Sequence, residues 1–333
     1  MTDVTGRKIL FTDVHKAELL LGTIPAPGKE EVRVRMEYTV VSGGTERANL
    51  LNLPNTVNTY PRALGYCGIG RVDALGENVG GLTLGQRVLV YHGKHSDYSV
   101  VPKGKVTPVP DGLDPVQASF TVIAAMGLGG VRKLKPELGE SALVIGQGLL
   151  GCFAAQFLRL SGLCPVITAD LSPARRSLSL KLGADASLDP TAPDFKKEIT
   201  SLTDGRGINA CVEVTGASSA LPLALSCAAP LGRISLLGCT RVSDCNIDFY
   251  TQVHRPGITL IGAHNFVRPK SDSYPGYWTH QDDCRAILSL MKAGRLLVEP
   301  MISRVVKPES APEIYNELCD SPDFPMGTVF DWN

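Results

Sequence analysis

The chain has 333 residues, room for about two domains with a sizeable buried core. Lysine plus arginine numbers 33 and aspartate plus glutamate 33, with no run of like charges, so no net field draws the protein to nucleic acid or to an acidic membrane surface. No segment approaches the roughly 20 apolar residues of a membrane span, and the start, "MTDVTGRKIL", has no apolar signal-like core, so the expectation is a cytoplasmic protein. Nine scattered cysteines, an odd total without a CxxC, read as reduced small hydrophobes rather than a disulfide framework.

In chain order the texture changes near residue 120 and again near 265. The first part holds "EEVRVRMEYTVVS", "GRVDALG", "GQRVLVYH" and "DYSVVP", short β-rich pieces with partial alternation, punctuated by Gly and Pro. That predicts a barrel-like β domain over 1–120. Strands and helices then alternate: "SALVIGQG", a helix through Leu160, "PVITAD", a helix through Leu182, "ASLD", the helical "DFKKEITSL", "NACVEVTG", another helix, "RISLLG" and "ITLIGA". Repeated βαβ units predict a parallel sheet covered on both faces over 121–265. Residues 266–333 carry an aromatic loop, a helix beginning at Thr279 and strand-like "RVV" and "GTVFDW", too little for a separate domain. They are expected to return to the first one.

The strongest chemical signal is "VIGQGLLGCFAAQFLRLSG". Gly146, Gly148 and Gly151 form a GxGxxG between an apolar strand and a helix on which Leu150, Phe153, Phe157 and Leu160 share a face. The first glycine permits the turn, the second lets the backbone approach a pyrophosphate, and the third brings helix against strand. Free N–H groups at the helix start, Leu149 and Leu150 among them, then face the phosphate. Asp170 closes the next strand 19 residues after Gly151, near the spacing of about 20 expected of an acid on the adenosine ribose. A carboxylate there repels a 2′-phosphate, which predicts NAD rather than NADP, although Arg175 and Arg176 follow. The plainer reading of Asp170 is a helix cap.

With "SGGTE", "LGYCGIGRV", "VLVYHGKHSDYSVVP", "GESALVIGQGLLG", "LSLKLGAD", "VEVTG" and "GRISLLG" in this order, the chain resembles the medium-chain dehydrogenase/reductase family over nearly its full length. The resemblance implies an α/β protein, a GroES-like β-barrel domain plus a Rossmann doubly wound parallel-sheet domain, with nicotinamide bound between them. It also implies hydride transfer with an alcohol or carbonyl and a homodimer or homotetramer joined at the nucleotide domains. By the same resemblance Asp170 and Arg175 hold the adenosine ribose, Thr215, Gly216 and Gly238 lie along the cofactor, and His264 and Asn265 approach its nicotinamide end.

Departures from the family pattern matter as much. Its zinc alcohol dehydrogenases place a Cys in a "CGTD" turn, a His-Glu pair in "GHE", and a Cys or Glu about 25 residues before the first motif glycine. Here those places read Gly43, Tyr66-Cys67 and Thr121 or Phe120, and the four-cysteine structural lobe is absent. A catalytic zinc needs three protein donors, so no zinc is expected, with an unorthodox site on Cys67, His92 or His95 as the alternative. His92 and His95 otherwise read as surface or packing histidines.

Without a metal, something must take the hydroxyl proton and stabilise the alkoxide. Thr45 aligns with the family's hydroxyl residue that bonds the substrate oxygen, or makes a turn bond. Glu46 aligns with the acid that supports the metal site and reads as a base or, more simply, a structural ion pair. Tyr66 takes the metal-binding histidine's place, where a phenol donates to a carbonyl oxygen or merely packs. Cys67 has no basic sequence neighbour and reads as inert. His92 completes the catalytic candidates. In "FVRPKSDSYPGYWTHQDD", Tyr274, Tyr277 and Trp278 suit the faces of a sugar or else pin the loop, and Thr279 with Asp282 reads as a capping box. The expected activity is zinc-independent, NAD-dependent interconversion of a secondary alcohol, of a sugar, polyol or glycoside, with a ketone. A quinone or enoyl reductase and a non-catalytic dinucleotide-binding protein are the alternatives.

Overall fold

The structure, a computed structural model, describes residues 2–321 and 324–333. The chain forms two compact units, one of Met1–Ile123 with Cys284–Asn333 and one of Ala124–Asp283. Residues 266–283 therefore pack with the second unit. The return to the first unit starts at Cys284.

In the first unit a seven-stranded sheet is built around Glu31–Val40, which pairs antiparallel with Cys67–Leu75, Tyr98–Pro102 and the C-terminal Thr328–Asp331. A three-stranded sheet of Lys16–Ile24, Val4–Asp13 and Arg62–Ala63 is tied to it by a Lys8–Ser96 bridge. The core gathers Val32, Val34, Met36, Phe11, Val88, Tyr315 and Phe330, all at most 2% exposed. This is the expected GroES-like β barrel, closed by the last strand of the chain.

One helix of this unit escaped the sequence reading. Ala311–Asp320 presents Ala311, Ile314, Tyr315, Leu318 and Cys319 to the core at helical spacing. The "SGGTE" stretch, expected as a turn, opens the helix Gly43–Leu50 instead. The reason is local: the Glu46 side chain accepts the Ser42 N–H at 3.0 Å, satisfying a donor that a helix start leaves open.

The second unit carries a six-stranded, all-parallel sheet in the order Ala186–Leu188, Val166–Ala169, Ala142–Ile145, Ile208–Glu213, Ala228–Leu236, Thr259–Gly262. This is the Rossmann doubly wound order, with its switch point between Ala142–Ile145 and Ile208–Glu213. The helix Leu149–Leu160 buries Phe153 and Phe157 as expected, whereas Leu160 is exposed because it ends the helix and faces solvent. Helix Phe195–Leu202 puts Phe195 and Ile199 into the core beside Ile208, Leu143 and Ile234. Among the described residues no helix is long and apolar enough to cross a membrane.

Candidate functional site

At the switch point of the second unit each motif glycine has its own geometry. Gly146 has φ +96°, and a Cβ there would come within 2.6 Å of Thr215 Cγ2. A Cβ on Gly151 would lie 1.8 Å from the Gly146 carbonyl oxygen, so only glycine lets this helix meet the strand so closely. A Cβ on Gly148 would meet nothing within 4 Å. Gly148 is the residue before the helix, and Leu149 and Leu150 begin it, half-buried, where a helix leaves its first N–H groups without partners inside the helix.

Asp170 is buried and already engaged. One carboxylate oxygen accepts the Gln147 N–H at 2.6 Å and the other the Ser172 N–H at 2.9 Å. It is thus a brace between the glycine loop and the turn after the second strand. Arg175 stands 4.0 Å from it, while Arg176 donates to the Asp170 carbonyl and pairs with Asp189.

Across the switch point, Glu213 organises the neighbouring loop, which the sequence reading missed. Its Oε1 accepts from the Thr215 N–H at 2.6 Å, the Thr215 hydroxyl at 2.5 Å and the Gly216 N–H at 3.0 Å. Its carbonyl takes the Leu237 and Gly238 N–H groups. Thr215 and Gly216 on the carboxylate and Gly238 on the carbonyl are therefore brought together around one buried glutamate. The signal was in "VEVTG": a charged residue ending an otherwise apolar strand must find donors at once.

In the first unit a second set of polar groups converges below "LGYC". The Tyr66 hydroxyl makes a short hydrogen bond with Ser42 Oγ, with the Thr45 side chain close by. Glu46, fully buried, accepts from Ser42 N–H, from the Tyr315 hydroxyl at 2.6 Å and from His95 Nε2 at 3.1 Å. The other His95 nitrogen meets Thr39 Oγ1 at 2.7 Å, which also accepts from Trp332 Nε1 at 2.9 Å. His95 is 1% exposed, packed against Phe330 and part of this chain of bonds, which corrects its reading as a surface residue and bears out the packing one. Ser42, Tyr315 and Thr39 were not singled out from sequence. Ser42 had the only readable signal, a hydroxyl four residues before Glu46.

The electrostatics sort these groups. Burial pushes the Glu46 carboxyl up, but the charge and hydrogen bond of His95, then Tyr315 and the Ser42 N–H, outweigh it and hold it below the usual range. Burial drives the Tyr66 phenol well above its ordinary value, the bonds from Ser42 and Thr45 only partly opposing it, and the Glu46 charge adds to the rise. Tyr66 is a protonated donor at neutral pH. Burial, then Lys94 and Lys105, lowers His92 to about 4, so a neutral imidazole lies 5.9 Å from the Tyr66 ring, centroid to centroid. The Cys67 thiol, bonded to the Ser119 carbonyl, is pushed up to about 12 by burial and is no thiolate. Among the described residues no three or more His, Cys, Asp or Glu are grouped to hold a metal ion.

His264, exposed, contacts Phe266 and lines a shallow pocket of the second unit with Arg132, Lys133, Arg268, Tyr277 and Trp278. Tyr274 and Tyr277 form a small bridge and are exposed, while Trp278 packs under Arg132. Thr279 makes one half of the capping box, accepting the Asp282 N–H, but its own N–H goes to Ser273.

Residues 150–279 match the family model described as zinc-binding dehydrogenase. A curated relative, L-threonine 3-dehydrogenase from Pyrococcus furiosus, is 27% identical over 88% of this chain and 89% of its own. D-guloside 3-dehydrogenase from Escherichia coli is 27% identical over 80% and 77%. The chain is a dehydrogenase-type oxidoreductase. Its fold recurs in a short chain alcohol dehydrogenase from Escherichia coli CFT073 solved with NADH, at TM-score 0.84 and 18% identity, covering 98% of this chain and 99% of that one.

Proposed function

We propose that this oxidoreductase is NAD-dependent and zinc-independent, and that it interconverts a secondary alcohol, of a sugar, polyol or glycoside, with a ketone. The observation that carries the reading is the Tyr66 phenol, kept protonated by burial and bound to Ser42 where the family resemblance expects a metal-binding histidine. The donor set there does not suit zinc: Gly43 offers no side chain, the Cys67 thiol is turned to the Ser119 carbonyl, and both Glu46 oxygens are spent on Ser42, His95 and Tyr315.

The residues of the second unit suit a dinucleotide. Gly146, Gly148 and Gly151 with the helix start at Leu149 and Leu150 would hold the pyrophosphate, and the open space over Gly148 suits that approach. Asp170 and Arg175 would hold the adenosine ribose, Thr215, Gly216 and Gly238 would lie along the cofactor, and His264 would stand towards its nicotinamide end. When bound, the nicotinamide supplies the hydride acceptor or donor. The negative charge of Asp170 is what favours NAD over its 2′-phosphorylated form.

In reduction Tyr66 donates to the carbonyl oxygen and gives it a proton as hydride reaches the carbon, and Ser42 and Thr45 hold the phenol in place. The phenolate this leaves regains a proton through Ser42 from solvent; in oxidation the relay runs backwards, Tyr66 passing its own proton to Ser42 as it takes the hydroxyl proton, and one proton leaves past neutral His92 for each hydride transferred. Glu46 acts through Ser42 as a positioning residue rather than as the base. The names of the relatives, a threonine and a guloside dehydrogenase, support a hydroxyl-bearing substrate. A cytoplasmic homodimer or homotetramer belongs to the same proposal.

The test is an absorbance screen at the NADH band over alcohols, polyols, sugars and glycosides, with NAD and with NADP, together with metal analysis of the isolated protein. Turnover with NAD on a polyol or sugar without bound metal is the expected result. Stoichiometric zinc, or a strong NADP preference, overturns the corresponding half of the reading.

A further inference from the structure

The pocket in the second unit has a composition that neither the glycine loop nor the Tyr66 cluster uses. Three cations line it, Arg132, Lys133 and Arg268, against one carboxylate, Asp283, so two positive charges are unmatched. The three cations are not equivalent. Arg268 is spent: Nε bonds the Asn265 carbonyl, Nη1 bonds Asp283 at 2.9 Å, and Nη2 bonds Ala125 and Asn265 oxygens. Arg132 commits only Nε, to Asp283 at 2.7 Å, leaving both terminal nitrogens for other acceptors. Its guanidinium carbon lies 3.8 Å from the centre of the Trp278 ring, which fixes the fork and shields one face from water. Lys133 donates to one carbonyl, Gly262, at 3.2 Å, and forms no ion pair among the described residues.

We propose that Arg132 and Lys133 bind an anionic group of the substrate, a carboxylate or a phosphate monoester, over the face of Trp278. A planar fork beside a point charge is the arrangement that takes oxyanions. Asp283 holds the fork from behind, at 1% side-chain exposure, and Arg268 holds Asp283. Partial burial and the nearby Arg268 already press Lys133 towards losing its proton, a cost that a bound anion relieves. The pocket is small and open to solvent, suited to one charged head rather than a whole molecule. His264 lines the same pocket, which places this head at the end that the proposed cofactor path reaches. The inference rests on the dehydrogenase reading for calling the molecule a substrate, and not for the anion binding itself.

The chain has two tryptophans, Trp278 in the pocket and Trp332 in the other unit's core, so Trp278 emission is a direct reporter. The full-length protein is titrated with inorganic phosphate and, separately, with acetate, each against sodium chloride at equal ionic strength. A saturable change absent from the chloride control is expected, lost in Trp278→Phe and shifted at least about tenfold in midpoint by Lys133→Met and by Arg132→Met. No saturable change in the wild type overturns the proposal, as does a change that survives both substitutions in proteins with wild-type circular dichroism. If either variant fails to fold, Lys133→Gln replaces it, and the wild-type titration remains decisive. Matched substrates, a polyol, its phosphate ester and the corresponding aldonate, then separate the two sources of charge by kcat/KM. The charged form favoured about tenfold names the source, and preference for the neutral polyol overturns the substrate assignment. NADH binding is measured in parallel: binding and neutral-alcohol turnover with silent anion titrations sink this inference alone, whereas anion binding without NADH binding sinks the dehydrogenase mechanism.

Discussion

Tyr66 is chemically useful because it stays protonated until a substrate oxygen takes the proton. A buried phenol bonded to Ser42, with the Glu46 carboxylate near, keeps its proton through the neutral range and remains a donor. Replacing Tyr66 with Phe is expected to lower kcat by about 10² to 10⁴ while the thermal midpoint stays near that of the wild type. Carbonyl reduction should hold its rate up to about pH 10, the usual phenol value, and a fall centred below that would contradict a Tyr66 donor. Glu46 has a different task. Its folded value lies below the usual carboxyl range, so its stabilisation is present above that range and disappears as pH falls through the folded value. Glu46→Ala leaves His95 and Tyr315 without their shared acceptor and should cost about 3–5 kcal/mol near neutral pH. Urea midpoints of the two proteins should converge in acid, and an unchanged gap would show that the carboxylate charge is not what stabilises. Tyr66 and Glu46 were visible in the sequence because their neighbours in "LGYC" and "SGGTE" marked the positions. Tyr315 was not, because pairing with Glu46 over a separation of 269 residues leaves no local pattern, and His95 was named as a metal donor without any sign that Glu46 and Thr39 hold it.

At the scale of elements, the strand-turn-helix of the glycine loop separates packing from binding. Gly151 is confined by backbone, with the Gly146 oxygen where a methyl would sit, whereas Gly148 faces open space and has φ −75°, a value any residue adopts. Gly151→Ala should therefore destabilise the second unit by about 1–3 kcal/mol or more, since helix and strand must part. Gly148→Ala should melt within about 0.5 kcal/mol of the wild type yet bind NADH at least about tenfold more weakly, as its methyl occupies the approach to the phosphate. Fluorescence titration and thermal melts on both proteins check this, and equal NADH affinity for Gly148→Ala would remove the loop from the cofactor path. This element was legible apart from the exposed Leu160 at its end, because strand, turn and helix lie within about 20 consecutive residues. The helix Ala311–Asp320 was not read, since its apolar face follows a proline-rich connection and nothing local announces that Tyr315 ends beside Glu46.

For the whole molecule, the order of segments along the chain decides which unit is self-sufficient. The second unit is continuous, and its six parallel strands and the residues of the pocket around Arg132 fall within Ala124–Asp283. One core cluster of that unit, with Leu143, Ile167, Phe195, Ile199, Ile208 and Ile234 buried, draws only on residues within that range among the described residues. The first unit is discontinuous. Glu31–Val40 needs Thr328–Asp331 as its antiparallel neighbour, and Glu46 needs the hydroxyl of Tyr315, both supplied more than 250 residues later. A fragment of residues 124–283 is therefore expected to unfold cooperatively in urea and to bind NADH. A fragment of residues 1–123 should lack a cooperative transition, because Phe330, Trp332 and Tyr315 are missing from its core and the Glu46 carboxylate is left short of a donor. Adding residues 284–333 in trans should restore the transition if the barrel closes through that strand and helix. A cooperative 1–123 fragment, or a 124–283 fragment that fails to bind NADH, would show that the two units do not divide stability and cofactor binding along the line their cores draw.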